Sequence, residues 1–411
     1  MKRRFLLSDS ELQTELLRQL NETGTPAGEG RWVLAGGIDP RGAAGDLTRQ
    51  AEHPDAAVLH GDKTSWRVDG SCASFDGKHL AVKTDFDVEG GGFRSGPIRI
   101  FKHDGRQWAP DYEIKQEGFY ETFLRGGSLV AQHYDGVRIF KHGKNGWVVE
   151  QKLLDKDWLP GADITNRLQV LSLADGALLL TSRGYDFIRI LGRGADGWVL
   201  EQEIEKKHCP RLDLANKVSR FTQLASLSGD HLAIADTEAG TVYVFHKSTG
   251  GWVLERKITK EECPLLRMPA KNEDGGYPQL SVALSGNVLA VGASGFNAVC
   301  VFRKATAGWK LEQELTEADL GASAPRGKGL GGSVAIRGGV LVAVASRPEE
   351  AAFIFERTGN GAWVLAQEIS NAAFPAIWQG KPQFGKPPAV ADDGTVMIKT
   401  VQSIRLFKRR A

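Results

Sequence analysis

Several things are scarce or missing in this 411-residue sequence, and each absence closes a class of function. Only 3 methionines occur, and the 4 cysteines (Cys72, Cys209, Cys263, Cys300) form no C-x-x-C pair and no metal-like spacing. They read as reduced thiols, with a bridge between the Cys209-Pro210 and Cys263-Pro264 loops as the alternative. Charge of one sign is also missing: 52 basic residues face 50 acidic ones, for a net charge of +2. That balance gives nucleic acid and anionic membrane surfaces no electrostatic footing. No run approaches the roughly 18 apolar residues of a membrane span. Lys2, Arg3, Arg4 and Phe5-Leu6-Leu7 are followed at once by Asp9 and Glu11, so there is no apolar signal core and no cleavage site. The expected location is the cytoplasm, or outside by a route without a Sec signal peptide. No H-x-H, H-E-x-x-H or G-x-S-x-G occurs, and Gly90-Gly91-Gly92 lies in no strand-to-helix context. The expectation is therefore no cofactor and no metal.

What is abundant is glycine, 49 residues, set among short apolar runs that alternate with a period of two. Aligning the tryptophans exposes a repeat. Trp108, Trp147, Trp198, Trp252, Trp309 and Trp363 each follow an apolar run and a Gly-rich turn, at spacings of 39, 51, 54, 57 and 54 residues. VRIFKHGKNGWVVEQKL (137–153) and TVYVFHKSTGGWVLERKI (241–258) are clear copies. A period of that size with variable loops belongs to propeller blades rather than helical solenoids. Residues 279–315 resolve into four strands, A to D, joined by tight turns, so each unit is an antiparallel meander. The last unit, 389–410, has three strands and no tryptophan strand; an orphan copy of that strand, GRWVLAGGI, stands at 30–38. Pairing 31–37 with the C-terminal three strands removes both open edges.

The predicted fold is all-β: a seven-bladed β-propeller of four-stranded blades, closed by an N-terminal strand. The blades are 71–114, 120–153, 168–204, 221–258, 279–315, 331–369, and 389–410 with 31–37. Residues 1–30 form a helix and linker extension before the propeller of 31–411. Ser8 is placed to cap a helix over 9–20 with Leu12, Leu16, Leu17 and Leu20 on one stripe. That helix either packs on the rim or docks another chain.

SVALSGNVLAVGASGFNAVCVFRKATAGWKLEQEL (281–315) and FTQLASLSGDHLAIADTEAGTVYVFHK (221–247) resemble bacterial FG-GAP repeats. The same propeller type forms the head of integrin α-subunits and some fungal lectins. The resemblance implies fold far more than function. The family's D-x-D-x-D-G calcium loop is absent, and Asp392-Asp393-Gly394 lies where a hairpin turn is needed.

Residues that recur at one blade position are explained by packing. In WVLEQEI, period two puts Trp198, Leu200 and Ile204 on one face and the glutamates on the other, a solvated one. Residues that appear once, on loops, are the candidate site. In a propeller the B-to-C and D-to-A connections emerge together around the channel. Segment 85–97 offers Asp85, Asp87 and Arg94; segment 38–70 holds His53, His60 and Trp66; segment 370–388 offers Trp378. The strand-B exits supply His133, Tyr134, Arg183, Tyr185 and Arg347, and a D-to-A loop supplies Trp158. Arg, Tyr and Trp on a concave face suit recognition of a protein partner. The expected function is a non-enzymatic binding platform. The alternatives are a lectin-like propeller binding glycan, and a lyase or hydrolase acting on a small molecule in the channel, with Asp85, Asp87, His133, Tyr134, Arg183 and Tyr185 as its residues.

Overall fold

Each blade starts where a tight turn reverses an apolar run, and the positive-φ positions those turns require are glycines such as Gly229 (φ 60°) and Gly286 (φ 54°). The computed structural model describes residues 9–21, 32–38, 63–88, 92–159, 167–174, 176–182, 187–205, 224–237, 239–267, 279–320, 329–345, 351–370, 387–399 and 404–409. Within them lie seven four-stranded antiparallel sheets arranged as a propeller. Blades one to six span 63–114, 119–154, 168–205, 225–259, 280–315 and 330–370. Blade seven takes three strands from 389–409, and its fourth is Trp32–Ile38, hydrogen-bonded to Ile404–Arg409. The fold class and the closure are as the sequence predicts. Strand A of blade one begins at Lys63, earlier than the expected 71, and runs to Phe75.

The hydrophobic core is divided among the junctions rather than gathered at one centre. Seven buried clusters correspond to the seven blade-to-blade contacts, from blades one and two (Ile98, Leu129, Trp147) round to blades seven and one (Met397, Leu406, Trp108). Each strand D serves two of them. Trp198 packs between blades two and three, whereas Ile204, six residues on, packs between blades three and four.

Strict alternation would place Trp198, Leu200 and Ile204 on one face, and the structure corrects that reading: Leu200 is 48% exposed. The reason is a register shift between strands C and D in all seven blades. It leaves one residue of strand D unpaired, always the third after the tryptophan, and so reverses the side-chain alternation beyond it.

The unpaired residue and its successor join the blades. At the third position Glu150, Glu201, Glu255 and Asp111 each accept a hydrogen bond from the indole N–H of the next blade's tryptophan. At the fourth, Gln151, Gln202 and Gln313 accept from the backbone N–H and donate to the carbonyl of Trp198, Trp252 and Trp363. Gln367 accepts from the Trp32 N–H in the same way. The glutamates assigned to a solvated face are thus, in part, inter-blade acceptors.

Blade seven has Gly36 where the glutamine should be. Helix α1 (Asp9–Asn21) substitutes for it: the Asn21 amide accepts from the Trp108 N–H at 2.6 Å and donates to its carbonyl at 3.0 Å. Leu16 and Leu20 of α1 are fully buried in the cluster between blades seven and one. The helix therefore packs on the propeller at the junction of blades seven and one.

Candidate functional site

Asn, Asp and Gly at a strand exit make a tight turn, and at the B-to-C exit of blade two that turn is Tyr134-Asp135. His133 ends strand B (Ser128–His133), and strand A (Phe119–Arg125) runs beside it. The chain that reaches strand A passes Gly118, at φ +93°, where an added Cβ would lie 2.7 Å from His133 Nε2 and 3.0 Å from the Tyr134 ring. A glycine there lets the backbone pass beneath the two side chains. On the other side, Asp155 opens the short helix Asp155–Trp158 and donates its backbone N–H to the Asp135 carbonyl at 2.9 Å. The B-to-C turn and the D-to-A connection of blade two thus share one end of the propeller.

His133 is fixed at both nitrogens. Nδ1 lies 2.5 Å from Asp135 Oδ1, and Nε2 lies 3.1 Å from the Glu117 carbonyl and 3.2 Å from the Gln116 amide. Arg138 holds the same Asp135 carboxylate with two bonds, of 2.6 and 2.8 Å. Burial pulls the Asp135 carboxyl upward, but the bonds from Arg138 and His133 outweigh it and hold it below the usual carboxylate range. Asp155 is displaced the opposite way, since burial raises it against the Leu168 N–H that it accepts at 3.0 Å. With each nitrogen engaged by the turn or by strand A's approach, His133 acts as a clamp on the loop.

Tyr134 stands apart from this clamp. It is 55% exposed. Its ring stacks on Tyr120, with centroids 6.3 Å apart and planes at 24°, and the Arg167 guanidinium lies 5.6 Å from its centroid. Tyr120 is half-buried, and burial pushes its phenol up to about 12, so it stays neutral and rigid beneath its partner. Strand A, the B-to-C turn and the D-to-A connection each supply one member of this Tyr–Tyr–Arg stack.

Not all of the sequence candidates join it. Asp85 is not on a loop: it lies in strand B of blade one (His79–Val88), is 4% exposed and is ion-paired to Lys83 at 2.8 Å. The hairpin continues regularly to Val88 and Gly92, pairing Asp87 with Phe93 and Arg94 with Phe86. The loop predicted over 85–97 is thereby shortened to its tip, because alternating residues there keep the ladder going. Trp158 is half-buried against the cluster between blades two and three, with its carbonyl and ring held by Arg189 at 2.5 and 5.7 Å. It packs more than it presents. Arg183, Tyr185, Arg347 and Trp378, with His53 and His60, lie outside the described residues, as does most of segment 370–388.

Two polar clusters escaped sequence reasoning. Cys263 Sγ lies 3.1 Å from Cys300 Sγ of a blade-five strand, with both thiols buried, while Cys209 lies outside the described residues. The hydrogen bond from Cys300 lowers Cys263, and the same contact raises Cys300. The second cluster is His79, Asp111 and His142, whose ligand atoms all lie within 4.8 Å of one another. It draws on strand B and strand D of one blade and strand C of the next. Only the blade register reveals it: GKHLAV (77–82) and GDHLAI (229–234) align, and His142 pairs with Trp147.

No family model matches the chain, and no curated protein matches it. Among solved structures, a chain of the mitotic checkpoint complex is similar with a TM-score of 0.53 at 12% identity, over 87% of this chain and 98% of that one. Hsv2 from Kluyvelomyces marxianus gives 0.49 at 11% identity, over 82% and 90%. BamB from Moraxella catarrhalis gives 0.45 at 11%, over 94% and 96%. At these identities the likeness is one of fold, the propeller, and the two lower scores add no argument. Among the described residues no helix is long and apolar enough to cross a membrane.

Proposed function

We propose that this chain is an FG-GAP-type propeller acting as a non-enzymatic docking platform, which takes a protein partner on its loop face at blades two and three. The observation that carries the reading is the exposed Tyr134, stacked on a half-buried Tyr120 and flanked by Arg167. Tyr and Arg are the residue types that dominate binding energy at protein interfaces, and a ring already held in place loses little entropy on contact. His133, Asp135 and Arg138 pair with one another, which leaves the Arg167 guanidinium as the cation beside the exposed ring. A partner surface offering an aromatic or acidic side chain fits it.

The test is quantitative binding. A protein recovered on the immobilised chain from source lysate is purified and titrated against wild type, Tyr134→Ala, and Val199→Asp on the outer rim. Tyr134→Ala is expected to weaken binding about 30-fold or more, the ~2 kcal/mol typical of a hot spot, while Val199→Asp leaves it unchanged. Equal affinities for wild type and Tyr134→Ala refute the placement of the site.

A further inference from the structure

At four junctions the residue three after the tryptophan is a glutamate, an indole acceptor at three of them, and each is paired with a cation from strand C of the following blade. The distances are 2.6 Å for Arg193 to Glu150, 2.8 Å for Lys247 to Glu201, 2.9 Å for Lys304 to Glu255, and 2.8 Å for Arg357 to Glu312. Each cation occupies the same register, directly opposite the tryptophan of strand D. The junction of blades one and two breaks the rule. Its acceptor is Asp111, and the residue opposite Trp147 is His142, an imidazole where those four junctions carry an ammonium or a guanidinium.

The junction of blades four and five shows what belongs there. Its corner holds a second imidazole, His231 at the start of strand B, and the Lys304 ammonium sits between His231 Nε2 at 2.7 Å and Glu255 Oε1 at 2.9 Å. His79 is the counterpart of His231: each begins strand B after an aligned turn, and each meets the next blade's tryptophan edge-on, at 5.5 Å (Trp147) and 5.6 Å (Trp309). Around the first corner, however, the ammonium is missing and a third donor replaces it. His79 is 7% exposed, and neither of its ring nitrogens has a hydrogen-bond partner. Burying an imidazole with both nitrogens unmet is costly unless something else meets them.

We propose that His79, Asp111 and His142 bind a divalent transition-metal ion of the zinc class, which fastens blade one to blade two where four other junctions use lysine or arginine. Two imidazoles and a carboxylate are a donor set suited to Zn2+, Ni2+ and Cu2+, with a fourth position left for water. The spacing agrees. Tetrahedral ligands at ~2.0–2.1 Å from the ion lie roughly 3.3 Å apart, and His142 Nε2 lies 3.5 Å from Asp111 Oδ2. The supporting groups are in place too. Trp147 donates its indole N–H to Asp111 Oδ2 at 2.8 Å, and the Asp76 carboxylate lies beside the His79 ring, with Oδ2 3.6 Å from Nδ1.

The experiment uses tag-free, chelator-stripped protein titrated with ZnCl2 by calorimetry, with Co2+ absorption reporting tetrahedral geometry and thermal unfolding followed alongside. The expected result is one equivalent bound, a rise in melting temperature, and tetrahedral Co2+ bands. His142→Lys installs the ammonium that Lys247 and Lys304 supply at two other junctions. It is expected to fold, to melt independently of zinc, and to weaken binding at least about 100-fold; His79→Gln serves should that variant misfold. Asp76→Asn, which retains an acceptor for the Lys78 and His79 amides, is expected to weaken zinc about 10–100-fold. Cys263→Ser, which disables the Cys263–Cys300–Glu314 group, is expected to change nothing. Absence of stoichiometric uptake by the wild type, or full uptake by both His142→Lys and His79→Gln, overturns the proposal.

Discussion

Trp363→Ala lowers the unfolding free energy by about 3–5 kcal/mol, the range for removing a large aromatic from a packed core. Trp363 is 1% exposed and fills the cluster between blades five and six with Phe353, Phe355 and Leu330. Its truncation empties the corner where strand D of blade six meets strand D of blade five. It also loosens the Gln313 clamp on its backbone, at 2.8 Å for each of two bonds. Gln313→Ala removes those bonds alone and is expected to cost about 1–3 kcal/mol, the range for leaving backbone groups unmet. Urea midpoints of the two variants measure both. A tryptophan variant no weaker than the glutamine variant would mean that hydrogen bonding, and not burial, holds the blades together.

Deleting residues 1–38 has an effect at least as large. Blade seven then lacks its outer strand, and Ile404–Arg409 becomes an open edge. The chain also loses Leu16, Leu20 and Trp32, each at 1% exposure or less. At about 1.5–3 kcal/mol for a fully buried apolar side chain, those three alone supply on the order of 5 kcal/mol or more, comparable with the whole stability of a marginal protein. The truncated chain is expected to elute as oligomer or aggregate on size exclusion, because an unpaired strand edge recruits another. Asn21→Ala separates the latch from the strand: the ring stays closed and stability falls by about 1–3 kcal/mol, as the Trp108 amide and carbonyl lose their clamp. A monomeric, fully folded truncation contradicts the closure seen here.

The blade count and the closure were legible because they depend on signals that repeat. Six tryptophans at blade-sized spacing and one orphan copy at Trp32 can be joined in only one economical way. The bulge was not legible, since a register shift leaves no residue signature. Glu201 in one blade and Ala366 in another occupy the same unpaired place. Period-two reasoning therefore kept Leu200 with Trp198, and it missed that the residues after the shift turn to the next blade. The site divides along the same line. His133 and Tyr134 stood out as single occurrences on a loop, whereas Tyr120 and Arg167 join them only through contacts between strands and connections. Asp85 misled because Gly90-Gly91-Gly92 implied a long loop, when the ladder and the Lys83 ion pair carry the strand past it. His79 was passed over because it follows an ordinary hairpin turn, and its neighbours belong to another strand and another blade.

The most direct test of the docking account is a hydrogen-exchange footprint of the chain with and without its purified partner. Protection is expected in 116–136 and 155–159, the A-strand approach, the B-to-C turn and the D-to-A helix of blade two. The outer strand Gly146–Leu154 should exchange as in the free chain. Protection confined to the outer strands, with 116–136 unchanged, contradicts the account and moves the binding surface to the rim.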